Sequence, residues 1–175
     1  AIKERWLGPD HLDVATALNN LAVLLRGAGD SATARPLIER ALAISERRLG
    51  PEHPDVALGL NNLAALLHAS RDLGAARPLY TRALAIRERV LGPDHPDVAT
   101  SLANLGALER ATGDLALARL LYERAVSIWE RTLGPSHPDV AAGLRTLAAL
   151  REATGDLHAA RPLWERARRI ELLAS

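Results

Sequence analysis

Apolar residues at Val14, Leu18, Leu21 and Leu25 are spaced i, i+4, i+7 and i+11, which gathers them on one stripe of a helix. The stripe returns as Val56, Leu60, Leu63 and Leu67. We term this element helix A. Its end is marked by Gly29-Asp30, Gly113-Asp114 and Gly155-Asp156, since glycine suits the left-handed helix-end position and aspartate caps the next helix. The second copy has Arg71-Asp72, which places a non-glycine residue there at a cost of about 1 kcal/mol. A second helix, B, follows as "ATARPLIERALAISERR", with Ala34, Ile38, Ala41 and Ile44 inward and Arg35, Glu39 and Glu46 outward. Pro36, Pro78 and Pro162 lie beyond its first turn, where each frees a carbonyl and bends the helix slightly. Leu120 at the equivalent place shows that the position is helical.

The tripeptide Leu-Gly-Pro begins at Leu7, Leu49, Leu91 and Leu133, a period of 42 residues without insertion. The units are 7–48, 49–90, 91–132 and 133–175. Residues 1–6 align with "AISERR" at 43–48, so they read as the end of helix B of a preceding repeat, and the chain as a fragment. The last unit is partly cap-like: Arg145, Thr146, Arg151 and Arg168 stand where Asn61, Asn62, Leu67 and Leu84 stand in the second. One hairpin cannot bury its own stripe, so the expected fold is an all-α stack of eight main helices.

The spacing of Leu18, Leu21, Ala22, Ala34, Ile38 and Ala41 resembles the tetratricopeptide repeat. The 42-residue period with "LGPxHPDVA" and "LNNLA" resembles its kinesin-light-chain-type variety, also found in large bacterial signalling proteins. The resemblance covers all four units. It implies a right-handed superhelical solenoid of antiparallel hairpins, with each helix A lining a concave groove for a protein or peptide partner. Two departures stand out: Leu25 replaces a frequent tyrosine, and the helix-ending proline of the shorter repeat is missing.

Composition narrows the chemistry. The chain is 48% hydrophobic and 25% charged, with no Cys, Met or Phe, so slim helices pack closely and no disulfide or thiolate metal site forms. The net charge is +1, with arginine interleaved among acids and Lys3 the only lysine, which argues against nucleic acid. Apolar runs such as "LAVLL" fall far short of the ~20 residues of a membrane span. A cytoplasmic, non-enzymatic protein without cofactor or metal is expected.

Two sets of polar residues compete as candidate sites. His53, His95 and His137 stand two residues before Asp55, Asp97 and Asp139, and His11 precedes Asp13 likewise. Each loop offers two ligands where a metal needs three or four, so these read as helix punctuation. On helix A, the face opposite the core holds Thr16, Asn19, Asn20, Val23, Arg26 and Gly27, repeated with Asn61, Asn62 and His68, and with Asn104 and Arg110. Asparagine is a mediocre helix former, so its recurrence needs a reason. Either an amide ladder ties adjacent A helices together, or the amides hold a peptide backbone. We take Asn19, Asn20, Arg26, Asn61, Asn62, His68, Asn104, Arg110 and Arg145 as a peptide-binding set for a neutral-to-acidic ligand, with Glu152 on the same face and Glu109 near its edge. The alternative is a structural, oligomerising or intramolecular regulatory segment of a larger protein. Self-association is expected through the incomplete amino-terminal end, near Ile2 and Leu7.

Overall fold

The computed structural model describes residues 7–173. The expected helical stub at 1–6, with Ile2 and Lys3, lies outside the described residues. Two compact units divide the chain, one running to Val90 and the other beginning at Leu91. The first holds α1 (Leu12–Gly27), α2 (Ser31–Leu49), α3 (Pro54–Ala69) and α4 (Leu73–Leu91). The second holds α5 (Pro96–Thr112), α6 (Leu115–Thr132), α7 (Pro138–Ala153) and α8 (Leu157–Leu173). These eight helices stand two per repeat, as the periodicity requires.

The turn from helix A to helix B is built the same way each time. Gly29 N–H donates to the Arg26 carbonyl at 3.0 Å and Asp30 N–H to the Leu25 carbonyl at 2.9 Å, which satisfies two orphan carbonyls in a Schellman arrangement. The turn residue has positive φ at Gly29 (84°), Gly113 (93°) and Gly155 (81°), and also at Arg71 (64°), the one non-glycine of this kind among the described residues. The following aspartate then caps helix B. Asp30, Asp72, Asp114 and Asp156 accept from the backbone N–H of Thr33, Ala75, Leu117 and Ala159 at 3.0, 3.2, 3.0 and 3.1 Å. The bond from Thr33 holds the Asp30 carboxyl below its ordinary value. Its contribution is therefore present above the usual carboxylate range and is lost as the pH falls through the lowered value.

Arginines of helix B clasp the loop that opens their own repeat. Arg40, Arg82 and Arg124 donate to the carbonyls of Pro9, Pro51 and Pro93 at 3.2, 3.1 and 3.4 Å. Two turns farther on, Arg47 pairs with Asp10 at 2.8 Å, Arg89 with Glu52, and Arg131 with Asp94 at 2.7 Å. The bond from Arg131 lowers the Asp94 carboxyl below its ordinary value. Much of the arginine in this chain thus fastens loops.

In the first unit, Val14 and Ala15 of α1 pack with Ala41 and Ile44 of α2, with Leu18 at the edge. Val56, Ala57 and Leu60 of α3 pack with Ala83 and Ile86 of α4, and Leu42 of α2 reaches the same cluster from the preceding repeat. The two repeats of this unit therefore interlock through helix B of one and helix A of the next. In the second unit α6 touches both α5 and α7, and α7 packs along α8. Close approach at these joints needs missing side chains. A Cβ on Gly59 would lie 3.2 Å from Leu42 Cδ1, and one on Gly143 only 2.5 Å from Val126 Cγ2 and 3.3 Å from the Trp129 ring.

The expected stripe is fully buried in α3 but not in α1, where Leu21 is exposed and Leu18 and Leu25 are half-buried. In α3 the stripe is covered by α2 as well as α4, and the corresponding neighbour of α1 falls outside the described residues. The expected polar far end also needs amending. Arg168 is exposed as expected, but so are Leu157, Trp164, Leu172 and Leu173 of α8.

Two stability predictions follow from these joints. Arg71→Gly relieves a left-handed residue and should stabilise the protein by about 0.5 to 1 kcal/mol in urea melts. Gly143→Ala should destabilise by about 1 to 3 kcal/mol despite alanine's better helix propensity, because stiff Val126 cannot yield, while Gly59→Ala against flexible Leu42 should cost less.

Candidate functional site

The histidine loops come first, because each histidine has a defined partner. Nδ1 of His11, His53, His95 and His137 accepts from the backbone N–H of Asp13, Asp55, Asp97 and Asp139 at 3.1, 3.1, 3.1 and 3.2 Å. Each histidine is the N-cap of its helix A in extended conformation, and proline supplies the first helical residue of α3, α5 and α7. The accepting Nδ1 puts the proton of the neutral ring on Nε2. Among the described residues, no three His, Asp or Glu side chains gather as metal ligands.

The A-helix faces carry the second candidate set. In the first unit, Asn62 Nδ2 donates to Asn19 Oδ1 at 2.8 Å, tying α3 to α1. Asn61 is buried, Asn19 and Asn62 are half-buried, and Asn20 alone of the four is exposed. Beside Asn19 and Asn20 lies a cavity of about 150 Å³. Leu12, Ala15 and Thr16 of α1 form one wall, Asp55, Leu58 and Gly59 of α3 the other, and Ala41, Leu42 and Ser45 of α2 the floor. Arg26 and His68, at the far ends of α1 and α3, are half-buried and do not line it.

In the second unit the same face is built differently. Asn104 is half-buried and Arg110 exposed on α5. Thr146, in the asparagine position of α7, hydrogen-bonds Tyr122 of α6. Burial raises the Tyr122 phenol above its ordinary value, opposed by the nearby Arg110 charge and by that hydrogen bond. Arg145 pairs with Glu171 at 2.7 Å, and Glu152 accepts from Trp164 Nε1 at 2.9 Å, so both are engaged with α8. Glu109 is not at the groove edge as expected. It is 1% exposed, with its carbonyl accepting from Thr112 Oγ1 at 2.9 Å, because it occupies the core register of Leu25 and Leu67.

Sequence reasoning missed the cavity and the approach of Tyr122. The cavity arises from the joint of three helices and no residue spacing signals it. Tyr122 was readable only as a core residue, since its phenol extends beyond the core to reach Thr146.

A family model described as tetratricopeptide repeat matches residues 1–47, 13–89, 55–129 and 104–170 in overlapping copies. Among solved structures, the chain is similar to BtubC (BKLC) from P. vanneervenii, at 29% identity and a TM-score of 0.84 over 94% of this chain and 66% of that one. It is similar as well to a Podosopora anserina protein described by kinesin-light-chain, nearly identical TPR-like repeats, at 27% identity and a TM-score of 0.82 over 94% and 78%. The apo form of RapI shares the fold, at 17% identity and a TM-score of 0.85 over 99% and 61%. The chain thus spans just under two thirds of BtubC. A search of curated proteins gave no significant match. No described helix is long and apolar enough to cross a membrane.

The capping geometry generates a further expectation. His95→Ala with His137→Ala removes two caps and should lower stability by about 0.5 to 2 kcal/mol per site in urea melts, whereas Asp or Ser at the same places should restore most of it. Stoichiometric zinc binding lost in the alanine pair would contradict the capping role.

Proposed function

Because the chain belongs to the tetratricopeptide repeat family, whose repeats serve as protein–protein interaction scaffolds and are in general non-catalytic, we propose that its A-helix faces hold a peptide segment of a partner protein. The observation that carries this reading is the cavity between α1 and α3. Its volume of about 150 Å³ is the size that takes a six-carbon apolar group, and its lining joins Leu12, Ala15, Ala41, Leu42 and Leu58 with Thr16, Ser45, Asp55 and the amides of Asn19 and Asn20. A large apolar side chain of the ligand enters there. The exposed amide of Asn20 offers the adjoining peptide backbone both a donor and an acceptor.

The bound segment is extended or a short helix, and neutral to acidic. Arg26 lies seven residues from Asn19, about 10 Å along α1, and meets an acidic side chain flanking the apolar one. Arg110 plays that part in the second unit, while Arg145 does so only by exchanging Glu171 for a ligand carboxylate. The hydrogen bond from Asn62 to Asn19 favours the structural reading for that pair, so the amide column divides its labour. Asn62 and Asn19 hold helices together. Asn20 and Asn104 meet the ligand.

Binding of a library of acidic peptides, each containing one tryptophan or leucine, tests the proposal. Asn20→Ala should weaken the selected peptides about five-fold per lost hydrogen bond without changing the melting temperature, and Leu58→Glu should weaken them further by charging the cavity mouth. Asn62→Ala should instead lower the melting temperature. Raising salt should weaken binding through Arg26 and Arg110. Unaltered binding in both Asn20→Ala and Leu58→Glu would overturn the assignment.

A further inference from the structure

Ser45 and Gly59 both line the cavity of the first unit. Two repeats of 42 residues carry these positions to Trp129 and Gly143 in the second. There the six-membered ring of Trp129 lies against Gly143, with Cζ3 and Cε3 at 3.3 and 3.7 Å from the place a Cβ would take. Trp129 is only 6% exposed, so α6 encloses a whole indole where α2 carries a serine hydroxymethyl group.

The rest of the lining answers that change. Ala15, Thr16, Asn20, Ala41, Asp55 and Gly59 have identical counterparts two repeats on. Four residues shrink: Leu12 becomes Pro96, Asn19 becomes Ala103, Leu42 becomes Val126 and Leu58 becomes Ala142. One grows, Ser45 to Trp129. Close-packed interiors tolerate a larger side chain when its neighbours give up volume, and here the loss falls on both A helices and the floor. In the first unit the serine leaves about 150 Å³ open, room for one six-membered ring.

We infer that Trp129 is a built-in occupant of the second unit's socket, and that Ser45 leaves the first unit's socket free for the flat aromatic ring of a ligand side chain. A flat ring suits the place because the chain's own occupant is one, laid against a glycine that leaves no Cβ in its way. One helix B position thus sets which pair of repeats receives a side chain from outside. The second unit offers its polar groups, Asn104 and Arg110, without a socket. That the outside ring belongs to a peptide rests on the proposed function; the self-filling of the second unit does not.

Free indole is the probe, followed through the amide resonances of the full chain. In the wild type it should shift Ala15, Leu58 and Gly59 with one-to-one saturation and leave Ala99, Ala142 and Gly143 unmoved. Ser45→Trp with Leu58→Ala transplants the second unit's arrangement, and should abolish those shifts and weaken the selected peptides ten-fold or more with unchanged helicity by circular dichroism. Ser45→Leu, a smaller plug, should weaken both. Trp129→Ser should lower the melting temperature, gain a second indole site at Gly143 and regain part of the lost stability when indole is added; should it not fold, Trp129→Leu, which empties less, carries the same comparison. Indole that misses the first unit of the wild type, saturates both units, or binds equally well to both Ser45 variants overturns the inference. So does a folded Trp129 variant that gains no site. The expected indole pattern without any peptide binding would overturn the peptide reading and uphold the socket assignment.

Discussion

Each A helix in this chain carries apolar residues on more than one flank, so a single B helix leaves part of it wet. α3 shows how the second flank is closed: α4 packs against Val56, Ala57 and Leu60, while Leu42 of α2 enters from the repeat before. The 42-residue period is a consequence. Within each unit the B helix of the first repeat meets the A helix of the second, and an insertion between them would shift leucines out of their sockets. Gly59 and Gly143 belong to this constraint, since they mark where backbone and neighbouring side chain come closest.

Such a joint works only if the turns on either side of each helix are rigid. The carbonyls left open at the end of helix A are closed by the Schellman bonds, and the aspartate that completes them caps helix B with its side chain. At the other turn, histidine caps helix A through Nδ1, proline starts it, and arginines from the returning helix B hold the loop carbonyls. Exposed charge pairs of this kind contribute little individually. Their value lies in fixing direction, because each clasp joins two points of one hairpin and leaves the hairpin to meet its neighbour as a preformed unit.

The helices and their turns were legible because they depend on neighbours within a few residues. Period, capping aspartates, the proline at the helix start and the left-handed Arg71 are all local, and each is found where the pattern puts it. What depends on the joint between repeats was not legible. Gly59 and Gly143 look like weak points of a helix until Leu42 and Val126 are seen against them. Leu21 looks like core because Leu63 is core, and differs only in what lies beside it. Glu109 looks like a surface acid, yet its register is that of Leu67. The asparagine column was found from sequence, but not which amides bond to one another.

That division follows from helix geometry. With one flank of an A helix given to its own B helix and another to the preceding one, a single face remains open to a partner. Adjacent residues on a helix are about 100° apart, so two successive asparagines cannot both point along it. In α1, Asn19 turns toward α3 and accepts from Asn62, and Asn20 is left in solvent. The doubled asparagine therefore supplies two directions from one short stretch, one across to the next A helix and one outward. The first ties α1 to α3 beside the cavity that Leu12 and Leu58 line. An amide spent on the scaffold in this way also borders the face beside it, so the structural role of Asn19 and the ligand-facing role proposed for Asn20 bear on the same surface.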